Sequence, residues 1–239
     1  QKLDSLSQNT TIYVAKQKPQ TLKIIKNILK NNKSKKVFAS SFKIKKIKDY
    51  YVYKDPKNTI PIRTNHIHSE GLINNLGLAI KVALDFGVPK KIITNTIPKI
   101  QFEGRLQYLT KGKFKKLLKK EEKLLIDGCH SMASAENLYN YLKTLKEPIY
   151  GIWGMQKNKL PDPFIKSFKK IFKKLVTVPF PNEPNALTAI ELQNIGQKYM
   201  PTIAAQNVTS ALRQISNNER KTIVIFGSLY LIGDVLSKN

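Results

Sequence analysis

Apolar positions along the chain recur at two spacings, and the changes between them mark out the elements. Residues 11–15 (TIYVA) read as a strand. Pro19 can open a helix to about residue 31, with Leu22, Ile25, Ile28 and Leu29 on one face. Residues 36–42 and 50–53 read as further short strands. A helix over about 70–86 is stopped by Gly87 and Pro89, and 90–100, punctuated by Pro98, reads as a short helix and then a linker. From Arg105 the alternation is regular. Strands are predicted at 106–109, 123–127, 149–153, 175–178 and 222–226, with helical stretches near 132–145, 162–173, 186–198, 207–217 and 229–237. Strands alternating with helices predict an α/β fold, a mostly parallel sheet with helices on both faces, with a domain boundary near residue 100.

The stretch 124–145 (LLIDGCHSMASAENLYNYLKTL) carries the most information. An apolar run delivers Asp127, Gly128, Cys129 and His130 into a tight turn. Ser131 then suits the N-cap of a helix, because its hydroxyl accepts an otherwise orphan backbone N–H. Leu138, Tyr141, Leu142 and Leu145 follow at helical spacing and give that helix one buried face. An acid and an imidazole are thereby set at the carboxyl end of a strand, where open α/β sheets bind ligands.

Composition narrows the class. With 239 residues and 41% apolar content the chain can bury a real core and reads as globular. One cysteine excludes an internal disulfide framework, so a reducing cytosol is expected. The first residue is Gln, with no basic-then-apolar leader after it, so no export signal is expected. The longest apolar stretch, 222–236, is broken by Gly227, Ser228, Gly233 and Asp234 and is too short for a membrane span. The chain reads as soluble and cytoplasmic.

A formal charge of +26 would attract phosphates strongly. Yet only Arg63, Arg105, Arg213 and Arg220 are arginines, whereas base and phosphate readers lean on the guanidinium fork. The lysines are spread along the whole chain, and the densest run, 111–123, also holds Glu121 and Glu122 and reads as a solvated loop and faces. A basic, non-catalytic α/β module that binds nucleic acid stands as the alternative reading, with nucleic acid the less expected partner.

Several side chains admit both a chemical and a plain structural role. Arg105, after Gly104, could clamp a phosphate or be an ordinary surface arginine. Asp127 and His130 could meet a ribose hydroxyl, a base edge or a phosphate, or only cap their own turn. Gly227 and Ser228 put backbone N–H groups at a helix start, which suits an anion or a plain strand–helix turn. Cys129 could form a dyad with His130, but a small buried filler is the expectation. His66 and His68 with Glu70 lack a second ligand cluster and read as loop polarity, so no metal site is expected. The chain has no phosphate-cradling G-x-x-x-x-G-K-[ST] loop, no acidic set for Mg²⁺, and no residue is assigned a catalytic role.

Five segments in order, EGRLQ (103–107), LLIDGCHS (124–131), GMQKNK (154–159), PNEPNALTAIEL (181–192) and FGSLYLIGDVL (226–236), resemble the carboxyl-terminal domain of folylpolyglutamate synthase/dihydrofolate synthase, a branch of the Mur ligase superfamily. Upstream, TIYVAKQKPQTLKII (11–25) and INNLGLAIKVAL (73–84) resemble the later part of its central ATPase domain. The resemblance implies that 1–100 is the end of the central ATP-binding domain without its phosphate loop, and that 101–239 is a Rossmann-like glutamate ligase domain.

The activity that the resemblance implies is that of an ATP-dependent amide ligase. It adds L-glutamate to dihydropteroate or to a folate already carrying glutamate, through an acyl phosphate. The phosphate loop and Mg²⁺ ligands would lie upstream, in a complementing amino-terminal segment, so this chain alone would be inactive. Arg105 would meet the ATP phosphates, and Asp127 the sugar or base side with His130 beside it. Asn75, next to Asn74, would be the family's nucleotide-contacting asparagine, and Lys159 and Ser228 would be accessory. The chain departs from the family's usual D-G-A-H-N at Cys129 and Ser131, and has Leu160 where an acid commonly follows the lysine.

Overall fold

The computed structural model describes residue 6 and residues 10–64, 67, 69–181 and 183–239. His66 and His68 lie outside the described residues. The chain divides into two compact units, Gln1–Gln101 and Phe102–Asn239.

In the first unit, β1 (Thr11–Val14) pairs in parallel with β2 (Lys35–Phe38), joined by α1 (Pro19–Ile28). A three-stranded antiparallel sheet follows, β3 (Lys43–Ile47), β4 (Tyr50–Lys54) and β5 (Thr59–Ile62), and then α2 (Glu70–Asp85) and α3 (Lys90–Thr96). Several expectations are corrected by this unit. The strand read over 36–42 ends at Phe38, where the backbone turns through a short 3-10 segment at Ala39–Ser41. β3 and β5 were not anticipated: β3 consists of Lys and Ile alone and is largely exposed, and Pro61 sits in β5. An edge position tolerates both, because a proline there need not donate to a ladder. Ile28, placed on the buried face of α1, is 51% exposed.

The second unit is a six-stranded sheet in the order β10-β9-β8-β11-β7-β6. Its strands are β6 (Gln107–Tyr108), β7 (Glu122–Asp127), β8 (Ile149–Trp153), β9 (Lys174–Thr177), β10 (Thr202–Ala204) and β11 (Lys221–Phe226). All neighbours are parallel except β6, which runs antiparallel to β7. Because β11 is buried along its whole length, period-2 alternation serves two cores at once. Leu125, Val224 and Phe226 join the core under α5 (Met132–Leu142), α6 (Pro161–Lys166) and α7 (Ala189–Gly196). Leu124, Ile126, Ile223 and Ile225 join the core under α8 (Val208–Ile215) and α9 (Leu229–Lys238).

An aromatic cluster of Trp153, Phe164, Phe168, Phe172 and Phe226, with ring centroids 5.1–6.5 Å apart, fills the first of these cores. The helix expected over 162–173 is shorter. α6 ends at Lys166 and the chain continues in tight turns that still bury Phe168 and Phe172. β10, also unanticipated, is only three residues at the sheet edge. The lysine run is likewise not all solvated loop. It contains α4 (Lys113–Lys116), which buries Phe114, and Glu122 is 1% exposed in β7. No helix among the described residues is long and apolar enough to cross a membrane.

At the amino edge of this sheet Glu147 accepts hydrogen bonds from Lys123 Nζ at 2.8 Å and Thr222 Oγ1 at 2.9 Å. The Lys123 ammonium, foremost, holds its carboxyl down at about 2. An unfolded glutamate titrates near about 4.3. The unfolded chain therefore binds the extra proton first as pH falls, and the stability this pair contributes, complete above that value, is lost on acidification toward 2. Glu147→Gln should remove that share of acid sensitivity. Urea midpoints read from the fluorescence of Trp153, the chain's single tryptophan, should differ between the two proteins at neutral pH and converge in acid.

Candidate functional site

The carboxyl ends of β7, β11 and β8 meet at the point where the connections change face. The helices after β7 and β8 cover one core and the helix after β11 covers the other. A crevice opens at such a reversal, which is why ligands of open α/β sheets gather there. The turn after β7 is held from three sides. Gly128 N donates to Gly104 O at 2.7 Å, Asp127 Oδ2 accepts from Leu106 N at 2.8 Å, and Asp127 Oδ1 accepts from Cys129 N at 2.8 Å. Both Gly104 (φ 66°) and Leu106 (φ 44°) are left-handed. A bulky leucine at positive φ is strained, and such strain concentrates at working sites.

Arg105, between these two residues, acts electrostatically on Asp127. Asp127 is 6% exposed, and burial pushes its carboxyl above the ordinary range while the Leu106 and Cys129 N–H groups and the Arg105 guanidinium oppose that. Arg105 Nη1 is buried and has no hydrogen-bond partner among the described residues. A guanidinium N–H removed from water with no acceptor costs free energy, so it is set up for an acceptor brought in from outside. His130 is half-buried, and its Nδ1 lies 2.9 Å from Gly128 O. If Nδ1 carries the proton, Nε2 is left free as an acceptor. Ser131 caps α5 together with Ser134 as the sequence suggested.

The turn after β11 closes the other side. Gly227 (φ 112°) has no room for a side chain, since a Cβ would stand 2.4 Å from Gly154 O and 2.6 Å from Trp153. Leu229 packs against Gly128, where a Cβ would meet its Cδ2 at 2.3 Å and Arg105 Nη1 at 3.1 Å. Trp153 Nε1 is a second buried donor without a partner among the described residues. Cys129 is fully buried and burial drives its thiol well up, so it fills space as a neutral group.

The fold thus brings Arg105, Asp127 and His130 together. Ser228 is 1% exposed and spends its hydroxyl capping α9, accepting from Tyr230 N at 3.1 Å. Lys159 is half-buried in the 3-10 turn Lys157–Lys159 after β8. Asn75 lies in the first unit, exposed on α2, whereas its neighbour Asn74 lines a cavity of about 540 Å³ there. Two features escaped sequence reading, the unpartnered Trp153 N–H and the Leu229–Gly128 contact, since neither leaves a local pattern. Among the described residues no three His, Cys, Asp or Glu side chains gather as a cation site.

Residues 110–238 match the family described as dihydrofolate synthetase, C-terminal domain. The chain is 25% identical over 162 residues to the dihydrofolate synthetase of Saccharomyces cerevisiae, an alignment covering 62% of this chain and 38% of that protein. Two solved structures share the fold. A folylpolyglutamate synthase from Thermotoga maritima has a TM-score of 0.70 at 22% identity, covering 94% of this chain and 53% of the other. The Mycobacterium tuberculosis folylpolyglutamate synthase, solved with ADP and AMPPCP, has a TM-score of 0.76 at 17% identity, covering 95% and 54%. The chain therefore spans about half the length of these solved relatives. With more than half of its residues matched to that domain, the chain belongs to the family of dihydrofolate synthetase C-terminal domains.

Proposed function

We propose that this chain is the carboxyl-terminal portion of a cytoplasmic ATP-dependent ligase that adds L-glutamate to dihydropteroate or to a folylpolyglutamate. The observation that carries this reading is the buried, unpartnered Arg105 Nη1 beside Asp127 at the carboxyl edge of the sheet. ATP would supply the phosphoryl group that converts the acceptor carboxylate to an acyl phosphate, which the amine of glutamate then attacks. Arg105 would hold the nucleotide phosphates, since a guanidinium fork matches phosphate geometry. Asp127, fixed by two backbone N–H groups, would orient Arg105 and meet the sugar or base, and His130 would offer Nε2 nearby. These are positioning roles, which phosphoryl transfer depends on. Lys159 and Ser228 would be accessory, and the exposed Asn75 would offer its amide to a nucleotide.

The described residues do not furnish a magnesium site, so no step is assigned to that ion. We assign the phosphate-cradling loop and the metal ligands to a complementing segment, in the same polypeptide or in a separate chain. The 239-residue chain given ATP, Mg²⁺, dihydropteroate and glutamate should release ADP no faster than a protein-free blank, while still binding ADP. Steady ADP release by this chain alone would overturn the assignment. Peptide mapping of the native polypeptide would then tell a longer single chain from a two-chain enzyme.

A further inference from the structure

The antiparallel sheet of the first unit has one face that the ligase reading leaves without a role. Alternation along its strands sends Ile44, Tyr53 and Ile60 inward, where a Cβ on Gly77 of α2 would stand 2.3 Å from Ile44 Cδ1. On the opposite face Lys43 stands directly across from Lys54, Lys45 across from Val52, and Ile47 across from Tyr50. Arg63, one of the chain's four arginines, lies 5.4 Å over the Tyr50 ring. A groove of about 560 Å³ runs over this face, lined by Lys43, Lys45, Ile47, Val52 and Lys54 among others. The one carboxylate on its lining, Asp55, already accepts from Tyr53 Oη and Lys57 N, both at 2.8 Å, and from Asn58 Nδ2 at 3.0 Å. None of the three lysines has a carboxylate partner among the described residues. Like charges directly opposite one another destabilise a sheet, so Lys43 and Lys54 repel with no counter-charge between them. Lysines on β3 alone would be accounted for by its edge position, where charge blocks pairing with another chain. Lys54 lies on the central strand β4, which needs no such protection, so edge defence leaves the pair unexplained.

We propose that this face binds single-stranded nucleic acid, an activity separate from the ligase reading. Phosphates passing along the groove neutralise Lys43, Lys45 and Lys54 and relieve their repulsion, and ammoniums on flexible stems follow an irregular backbone. Beyond Ile47 the Tyr50 ring and the Arg63 guanidinium stacked on it give an unpaired base a planar surface to lie against. The first unit holds 20 Lys and Arg against 5 Asp and Glu, so its field draws polyanions toward the groove from a distance. A duplex fits less well, because its major groove takes in a protruding helix or ribbon and this face is concave. An anionic membrane fits less well too. Of the apolar side chains here only Ile47, at 43%, is exposed, while Val52 and Pro61 are half-buried, so little apolar area can enter lipid.

The test follows the fluorescence anisotropy of a labelled oligothymidylate titrated with the full chain over a range of salt. The native chain is compared with Lys45→Gln/Lys54→Gln, with Tyr50→Leu, and with a Lys169→Gln/Lys170→Gln control that removes the same charge from the second unit. The groove pair should weaken binding about tenfold and flatten the slope of log affinity against log salt by about 1.4, at ~0.7 for each phosphate of a single strand left unneutralised. Tyr50→Leu should weaken binding about fivefold or more with the slope unchanged, as loss of one stacked base requires. Lys45→Arg/Lys54→Arg should keep the affinity, which separates lost charge from lost fold, and the second-unit control should keep both affinity and slope. The proposal falls if the native chain does not bind the oligonucleotide or if the groove pair binds as the native chain does. It falls too if the control loses as much affinity as the groove pair, since overall charge would then suffice. Equal competition by a duplex of the same length would overturn it in favour of phosphate attraction without strand recognition. Displacement by phosphatidylserine vesicles at equal phosphate concentration would overturn it in favour of a membrane. ADP titrated into the same samples keeps the two readings apart. ADP binding without oligonucleotide binding sinks this face alone, and the converse sinks the nucleotide site alone.

Discussion

Glu122→Ala should destabilise the second unit by about 3–5 kcal/mol, the cost of breaking a buried ion pair from one side. Glu122 and Lys221 open the paired strands β7 and β11, each 1% exposed, with Lys221 Nζ 3.7 Å from Glu122 Oε1. The carboxylate also accepts from Lys119 N at 2.8 Å, Ser216 Oγ at 2.6 Å and Asn217 N at 2.9 Å. Lys221 Nζ in turn donates to Ile215 O at 3.2 Å and to Asn217 Oδ1, and lies 5.0 Å over the Tyr150 ring. Truncating Glu122 leaves an ammonium out of water with no buried counter-charge, only the exposed Glu219 carboxylate at 3.8 Å, and frees three donors at the ends of α8 and β7. The pair itself is a different matter, because desolvation offsets most of its Coulombic gain. Glu122→Met/Lys221→Met should therefore recover much of the loss. Urea unfolding followed through Trp153 decides it, and a single-variant loss below about 1 kcal/mol would mean that water reaches Lys221 after all.

Arg105→Met should weaken ADP binding by about tenfold to a hundredfold, the ~1.5–3 kcal/mol of a charge-assisted hydrogen bond. Methionine keeps an unbranched apolar stem at this position while deleting the guanidinium, whose Nη1 makes no hydrogen bond within the described residues. Asp127 would keep its two backbone donors, Leu106 and Cys129. The melting temperature without nucleotide should consequently move little compared with the loss of affinity. A large drop in melting temperature with unchanged ADP affinity would instead make Arg105 a structural counter-charge for Asp127. Arg105→Lys should not restore binding, since a point charge cannot reproduce the planar fork.

Both predictions bear on how much of the site is written in local sequence. The Asp127–His130 turn was legible because an apolar run, a tight turn and a serine cap followed by helical spacing are local patterns, and the structure sets that turn at the carboxyl edge of β7. Glu122 was not legible. It sits in a lysine-rich run that reads as solvent-facing, and it is buried only because Ser216 and Asn217, 94 and 95 residues away, fold over it. β3, β5 and β10 were missed for a related reason. Their sequences have weak alternation, and each is a strand because an adjacent strand supplies its hydrogen bonds. The choice between Asn74 and Asn75 has the same character, since helical period sets them about 100° apart but only the neighbouring loops decide which one meets a cavity.

Local sequence alone specified the α/β class, the run of central strands and their caps, and the family, because periodicity, capping and ordered motifs act over a few residues at a time. Long-range packing set the strand order that inserts β11 between β7 and β8, and with it the crevice where their carboxyl ends meet. It also left one guanidinium nitrogen of Arg105 dry and unpaired among the described residues, and buried the Glu122–Lys221 pair. Each of these depends on which distant segments exclude water from a given atom. Exclusion of water is a property of packing, to which residues far apart in the chain contribute together.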